Sequence, residues 1–204
     1  MLAVRTAFDP ATAAPGAFYK LLNSVVVPRP IAWVSSTSPD GVDNLAPHSF
    51  FTVACVAPPI VQFTSVGRKD TLRNVEATGE FVVCLAPEPL FEQVNATGTN
   101  FAPGESEWDA VGVEREPSTC VGPPRVAASP VALECVLHAT LGLGNSTVVL
   151  GRVVHLVVDE DAMADGRPEI TRLRPLSRLG ADEWGTAGDI RSIARIPRDE
   201  WPGH

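Results

Sequence analysis

The sequence predicts a mainly β fold, an antiparallel barrel, closed or partly open, with a few short helices. Three observations lead there. Short apolar runs recur between turn-forming residues, with 19 Pro and 16 Gly spread over 204 residues and only 6% aromatics, a mixture suited to many short strands joined by irregular turns. Helix-period patterning occurs only in short segments. Near residues 131–158, two longer runs flank a glycine-rich turn and read as a long hairpin. With many strands and little helix to cover them, closure is the way to remove exposed edges.

Taken in order, Phe18 to Leu22 reads as a short helix after the Pro15-Gly16 break, and Ile31 to Ser36 as a strand ended by Thr37-Ser38-Pro39-Asp40-Gly41. The Asp-Gly step predicts a hairpin whose return arm runs from Asp43 through Pro47 and on into Phe50 to Val53. Pro47 marks an edge or a bulge in that arm, and a bend there carries His48 and Ser49 to a rim. Pro58-Pro59 precedes a strand over Ile60 to Ser65. Asp70 is expected to N-cap a helix that stops before Gly79 and buries Leu72 and Val75.

Phe81 to Leu85 is the next strand. A mixed segment bracketed by Pro87, Pro89, Pro103 and Gly104 follows, with a short helix at Leu90 to Ala96. Val131, Leu133, Cys135, Leu137, Ala139 and Leu141 share one face of a strand at period two, and Gly142 to Ser146 turns into a second strand over Thr147 to Val158. The stretch 172–204, richer in polar residues, Gly and Pro, is expected to pack as a tail across the barrel or onto a partner subunit. No repeat or linker divides the chain, and residues 1–204 are expected to form one domain.

The formal net charge of −8 argues against nucleic acid and against an anionic membrane surface. Small anions remain compatible, because a few local donors outweigh a mildly negative field at contact distance; Arg68 and Lys69 are the evident candidates. Cys55, Cys84, Cys120 and Cys135 form no Cys-x-x-Cys pair, and Cys84 and Cys135 lie in apolar strands, which predicts reduced thiols in a cytoplasmic protein. The first sixteen residues lack a continuous apolar run, and the run at Val148 to Val158 is broken by Arg152 and His155. His155 and His138 read as hydrogen-bonded core or interface residues. The histidines have no ligand-like spacing, so no metal site is expected.

Three blocks carry the chemistry: Pro28 to Ser36, Asn44 to Phe51, and Arg68 to Asn74. Small hydroxyls at Ser35, Ser36 and Ser49 end or begin apolar strands, and Lys69 and Thr71 flank the start of a helix, where free N–H groups and the helix dipole favour an anion. The combination suits a phosphate attached to an aromatic ring. Each position also has a plainer reading: turn-forming serines, a solvated cap, core phenylalanines, and an Arg29 facing a carboxylate or water.

In order and spacing these blocks resemble the flavin reductase-like family, together with Asn95-Ala96-Thr97, Ala128 to Cys135 and Arg174 to Gly180. The resemblance implies an FMN-binding split β-barrel and a homodimer with FMN in a cleft near the interface. Its implied cofactor-binding set is Arg29, Trp33, Val34, Ser35, Ser36, Pro47, His48, Ser49, Phe50, Ser65, Arg68, Lys69, Asp70, Thr71 and Trp184. It also implies an NAD(P)H-dependent flavin reductase that passes hydride to FMN, and onward to free flavin, oxygen, ferric iron or a partner oxygenase. Two departures matter. His48 stands where relatives often carry an uncharged residue and is the candidate catalytic group; Ser146 stands where short-chain flavin reductases often carry a histidine associated with nicotinamide. Both departures lean towards the alternative of an FMN-dependent oxidase or reductase acting on a small organic redox substrate, with His48, Cys55 or the Leu90 to Trp108 region shaping the pocket. A third reading is an FMN electron-transfer module reduced by another protein. No Gly-x-Gly-x-x-Gly, Gly-x-Ser-x-Gly or His-Glu-x-x-His motif supports a rival enzyme class.

Overall fold

Strand-forming apolar runs dominate the chain, and a computed structural model, which describes residues 3–102 and 104–201, assembles them into a split barrel. Pro103 and positions 202–204 of the tail lie outside the described residues. The first elements are helix α1 (Ala17–Val25), strands β1 (Arg29–Pro30), β2 (Ala32–Thr37), β3 (Asp43–His48), β4 (Phe51–Cys55) and β5 (Ile60–Val66), helix α2 (Asp70–Thr78) and strand β6 (Glu80–Leu85). Short helices α3 (Phe91–Ala96) and α4 (Glu107–Val111) and the small hairpin β7 (Arg115–Glu116) and β8 (Arg125–Val126) precede the long hairpin of β9 (Val131–Leu143) and β10 (Ser146–Val158). The chain ends through β11 (Met163–Ala164), β12 (Arg167–Pro168), α5 (Ile170–Leu173), β13 (Ser177–Arg178) and β14 (Trp184–Gly185).

Seven strands form one antiparallel sheet in the order β3-β2-β6-β9-β10-β5-β4. The expected continuation of the β3 arm into Phe50 to Val53 is corrected here: β3 pairs with β2, whereas β4 pairs with β5 at the far edge. Ser49 and Phe50 turn the corner between the two edges, and the Phe50 carbonyl accepts from Thr64 N–H at 2.9 Å. Pro47 lies on the edge strand, where a missing N–H breaks no central ladder.

The sheet is covered on both faces, and alternation along β2 and β6 feeds two cores. Trp33, Leu45, Val82 and Cys84 pack with Val94 and Trp108 from α3 and α4. Val34, Phe63, Phe81, Val83, Cys135 and Val149 pack on the other face with Leu72 and Val75 of α2. The buried thiols of Cys84 and Cys135 are both pushed up to about 12 by desolvation, and behave as small core groups.

The long hairpin departs from strict alternation. Cys135 is buried with Leu133 and Leu137 against it, but Leu141 and Leu143 are each 55% exposed because the hairpin runs past the core. Register shifts between Leu150 and Gly151 and between Val153 and His155 re-aim the strand. Neighbouring Glu134 is thereby fully buried, accepting from Thr119 N–H at 2.9 Å and lying 3.5 Å from the Arg125 guanidinium. His138 is exposed rather than in the core, and His155 is half-buried. Asp70 is not the N-cap: Lys69 is, in an extended conformation, and Asp70 begins the helix paired with Arg73. Gly79 ends α2 at φ 76°, as a left-handed C-cap. In the tail, β13 pairs with β1 and β14 with β13, which lays Trp184 against the first core. Among the described residues no helix is long and apolar enough to cross a membrane.

At the β10 bulge, a Cβ on Gly151 would stand 2.2 Å from Phe81 Cζ and 3.2 Å from Cys135 Cβ, both in a packed core. Gly151→Ala is therefore expected to cost about 1–3 kcal/mol by overpacking. Gly142→Ala, with nothing within 4 Å of its Cβ, is the control and should change stability by less than about 0.5 kcal/mol. Urea unfolding of the two variants checks this; equal effects would show that the core yields at Phe81.

Candidate functional site

A cavity of about 380 Å³ opens at the corner where β3 crosses to β4. Its walls come from that corner, from the β5–α2 turn and from residues 97–101 after α3. Of the residues singled out in the sequence, Pro47, His48, Ser49, Phe50, Arg68, Lys69, Asp70 and Thr71 all line it. They meet because the corner brings one sheet edge back against the strand that leads into α2.

The start of α2 has features that favour an anion. No side chain caps its N-terminus, so the first-turn N–H groups face the cavity with the positive end of the helix dipole. Among the lining cations, Arg68 pairs with Glu76 and Arg73 with Asp70. Lys69 has no carboxylate partner among the described residues, and its ammonium makes only a 3.4 Å contact with Asn100 Oδ1. A ligand anion would complete that pairing. Across the cavity, the N–H groups of Ser49 and Phe50 stand outside both the β2–β3 and the β4–β5 ladders.

The floor is a buried polar chain that includes two residues not singled out in the sequence, Asn44 and Glu107. The Asn44 amide, oriented so that both ends have partners, donates to Glu107 Oε1 at 3.3 Å and accepts from Thr71 Oγ1 at 3.0 Å. Glu107 Oε2 also accepts from Leu45 N–H at 3.0 Å. Burial raises the Glu107 pKa, opposed by backbone hydrogen bonds from Leu45 and from its own N–H. His48 Nε2 lies 3.4 Å from Thr71 Oγ1, with the ring tilted over Phe63 at 4.7 Å between centroids. Desolvation, more than the nearby Lys69 charge, lowers the His48 pKa to about 4, against a hydrogen bond to the Thr64 backbone. The ligand therefore meets a neutral imidazole. Asn44 opens the second of the sequence blocks and Glu107 begins α4 within the Leu90 to Trp108 region, but only their long-range contacts with Thr71 and Leu45 put them on the floor.

The remaining sequence candidates lie elsewhere. Trp33, Val34, Ser35 and Ser36 are fully buried, because β2 has strands on both sides and a core on both faces. Trp33 supports the wall from behind, donating from Nε1 to Thr97 Oγ1 at 2.9 Å. Ser36 Oγ accepts from Asn74 at 3.3 Å, while Ser35 Oγ has no partner among the described residues. Ser65 is buried and donates to Gly67 O at 2.9 Å, fixing the turn into α2. Arg29 is 7% exposed and donates to the carbonyls of Asn23, Val26 and Leu179, tying α1 to the tail. Trp184 lines a smaller cavity of about 190 Å³, which shares Pro47, Ser49 and Gly98 with the first.

Residues 24–173 match the family model described as the flavin reductase like domain. An uncharacterized protein of Halalkalibacterium halodurans is 39% identical over 189 residues, covering 87% of this chain and 90% of that protein. Among solved structures, nitrilotriacetate monooxygenase component B from Bacillus cereus superposes with a TM-score of 0.89 at 31% identity, over 94% of this chain and 100% of the other. Pseudomonas fluorescens 2-nitrobenzoate 2-nitroreductase superposes at 0.86 and 30% identity, over 95% and 97%.

The buried imidazole sets a pH dependence. The folded chain keeps His48 neutral down to about pH 4, whereas an unfolded histidine takes up its proton near pH 6.5. The unfolded state thus binds more protons across that window, and stability falls as pH drops through it. Between about pH 7 and about pH 4.5 the chain should lose roughly 2 kcal/mol more than His48→Gln does. Urea unfolding at both pH values reads this out, and parallel losses would show that His48 titrates as an exposed histidine does.

Proposed function

The chain belongs to the flavin reductase-like family, a family of flavin-related oxidoreductases, and from that premise we propose that it binds FMN in the larger cavity and works as an NAD(P)H-dependent flavin reductase. The observation that carries this reading is the Lys69 ammonium, without a carboxylate partner among the described residues, at an uncapped helix start, beside the Ser49 and Phe50 N–H groups that lie outside the strand ladders. A dianionic phosphate suits the first feature, and the polar edge of a fused ring suits the second.

Bound FMN supplies a hydride acceptor. The chain's own part is placement. Lys69 and the α2 N–H groups hold the phosphate end, Thr71 and Asn44 offer hydrogen bonds along the cavity floor, and the Ser49 and Phe50 N–H groups face the ring edge where negative charge develops on reduction. Neutral His48 presents a hydrogen-bonding group there without adding charge. No acid–base dyad is needed, because a positioned hydride donor and a stabilised ring account for the transfer.

A second reading, FMN-dependent reduction of an organic substrate, draws on Ser146. Its hydroxyl bonds to Asn145 Oδ1 at 2.9 Å, and it pairs across the sheet with the cavity-lining Val66, so the rim lacks a histidine at this position. The 2-nitrobenzoate 2-nitroreductase likeness supports the same reading, and the monooxygenase component B likeness supports a partner oxygenase as electron acceptor. The proposal includes a homodimer. Leu22 and Val25 of α1 are 49% and 72% exposed, beside the cavity-lining Tyr19, and would give a second copy an apolar face to cover.

FMN-loaded, gel-filtered protein is expected to retain its visible flavin bands and to bleach with NADH or NADPH in the absence of oxygen. Retained bands that bleach with neither would favour the second reading or an electron-transfer module. Lys69→Ala should weaken FMN binding about tenfold or more while leaving riboflavin, which lacks the phosphate, nearly unaffected. Equal losses for both ligands would place the phosphate elsewhere. Sedimentation equilibrium is expected to give a dimer, shifted towards monomer by Leu22→Asp.

A further inference from the structure

The smaller cavity has a chemistry of its own. Arg178, half-buried, stacks its guanidinium over the Trp184 ring at 4.5 Å, and Trp184 is braced edge-on by Phe91 at 5.1 Å. The only hydrogen bond of the Arg178 side chain among the described residues runs from Nη2 to Ala181 O at 2.9 Å, and it has no carboxylate partner there. Its cross-strand neighbour is Arg29, whose Nη1 and Nη2 donate to backbone carbonyls while its buried Nε has no partner among the described residues. Two guanidinium groups thus sit side by side, with no acidic side chain paired to either, in a chain of net charge −8. A cation without a carboxylate partner, held over an aromatic wall, is pre-organised for an anion with a planar body.

Size and position narrow the ligand. The cavity measures about 190 Å³, below the ~300 Å³ at which pockets for drug-sized molecules begin, so it suits one ring rather than a dinucleotide. Its shared wall of Pro47, Ser49 and Gly98 sets such a ring beside whatever fills the larger cavity. The Asn95 amide and the Ser49 hydroxyl, neither hydrogen-bonded among the described residues, add polar contacts at its edge.

We propose that this cavity is the subsite for the second reactant and that it takes a small planar organic anion, with its carboxylate on Arg178 and its ring against Trp184. The proposal rests on the flavin reading of the larger cavity for its role, but not for its binding chemistry.

Benzoate and its neutral isostere benzamide are the probes, titrated by ligand-observed NMR and calorimetry into both FMN-loaded and flavin-free protein. Benzoate is expected to bind more tightly than benzamide. Arg178→Gln should weaken benzoate about tenfold or more while leaving benzamide binding and FMN retention unchanged, and Arg178→Lys should recover part of the loss. In the loaded protein, benzoate should also perturb the flavin spectrum. Equal binding of the two probes, no measurable binding of either, or no effect of Arg178→Gln would overturn the proposal. So would loss of FMN in Arg178→Gln, which would make Arg178 a cofactor ligand. Retained FMN with no preference for benzoate sinks the subsite alone. Arg178-dependent benzoate binding in a protein that holds no FMN would keep the subsite and remove the flavin reading.

Discussion

The larger and the smaller cavity both depend on one corner of the fold. Between His48 and Phe51 the chain leaves one edge of a seven-stranded sheet and enters the other, so two strands adjacent in sequence never pair with each other. A sheet wrapped this way closes without a complete ladder, and the seam is where backbone groups stay free of strand pairing. The β5–α2 turn is brought to the same seam by the pairing of β5 with β4. Both cavities border this corner, sharing Pro47 and Ser49.

Covering a strongly curved sheet on both faces has consequences elsewhere. β6 and the first half of β2 read as continuous apolar runs because their odd and even positions serve different cores. The long β9–β10 hairpin accommodates the curvature with two register shifts, one of them at a glycine that lets Phe81 approach the backbone. Glu134, beside the second shift, is drawn inside and becomes an anchor for backbone N–H groups of the loop before β8 rather than a surface charge.

Charge is distributed by pairing rather than by total. Most basic side chains around the α2 end of the cavity are neutralised by a carboxylate, while Lys69 and Arg178 are left without one among the described residues. At contact distance such local imbalance outweighs the global negative field. That is how an acidic protein can suit small anions at a few defined positions instead of along a basic stripe.

By itself the sequence determined most of the longer strand segments, the glycine-rich turn of the long hairpin, the short helix that ends at Gly79 and the family membership carried by its ordered blocks, because period, turn chemistry and motif order are local properties of the chain. The corner residues Pro47 to Phe50 and the run from Arg68 to Thr71 were legible for the same reason. The tertiary structure decided what each side chain faces. It put the hydroxyls of Ser35 and Ser36 behind the wall, committed Arg29 to carbonyls of α1 and the tail, made His48 a neutral buried group, and brought Glu107 and Asn44 to the cavity floor. None of these is a local property. Burial on both faces depends on which strands end up in the middle of the sheet, and a histidine's charge state depends on the water excluded around it. Both are settled only when residues far apart in the chain are packed together.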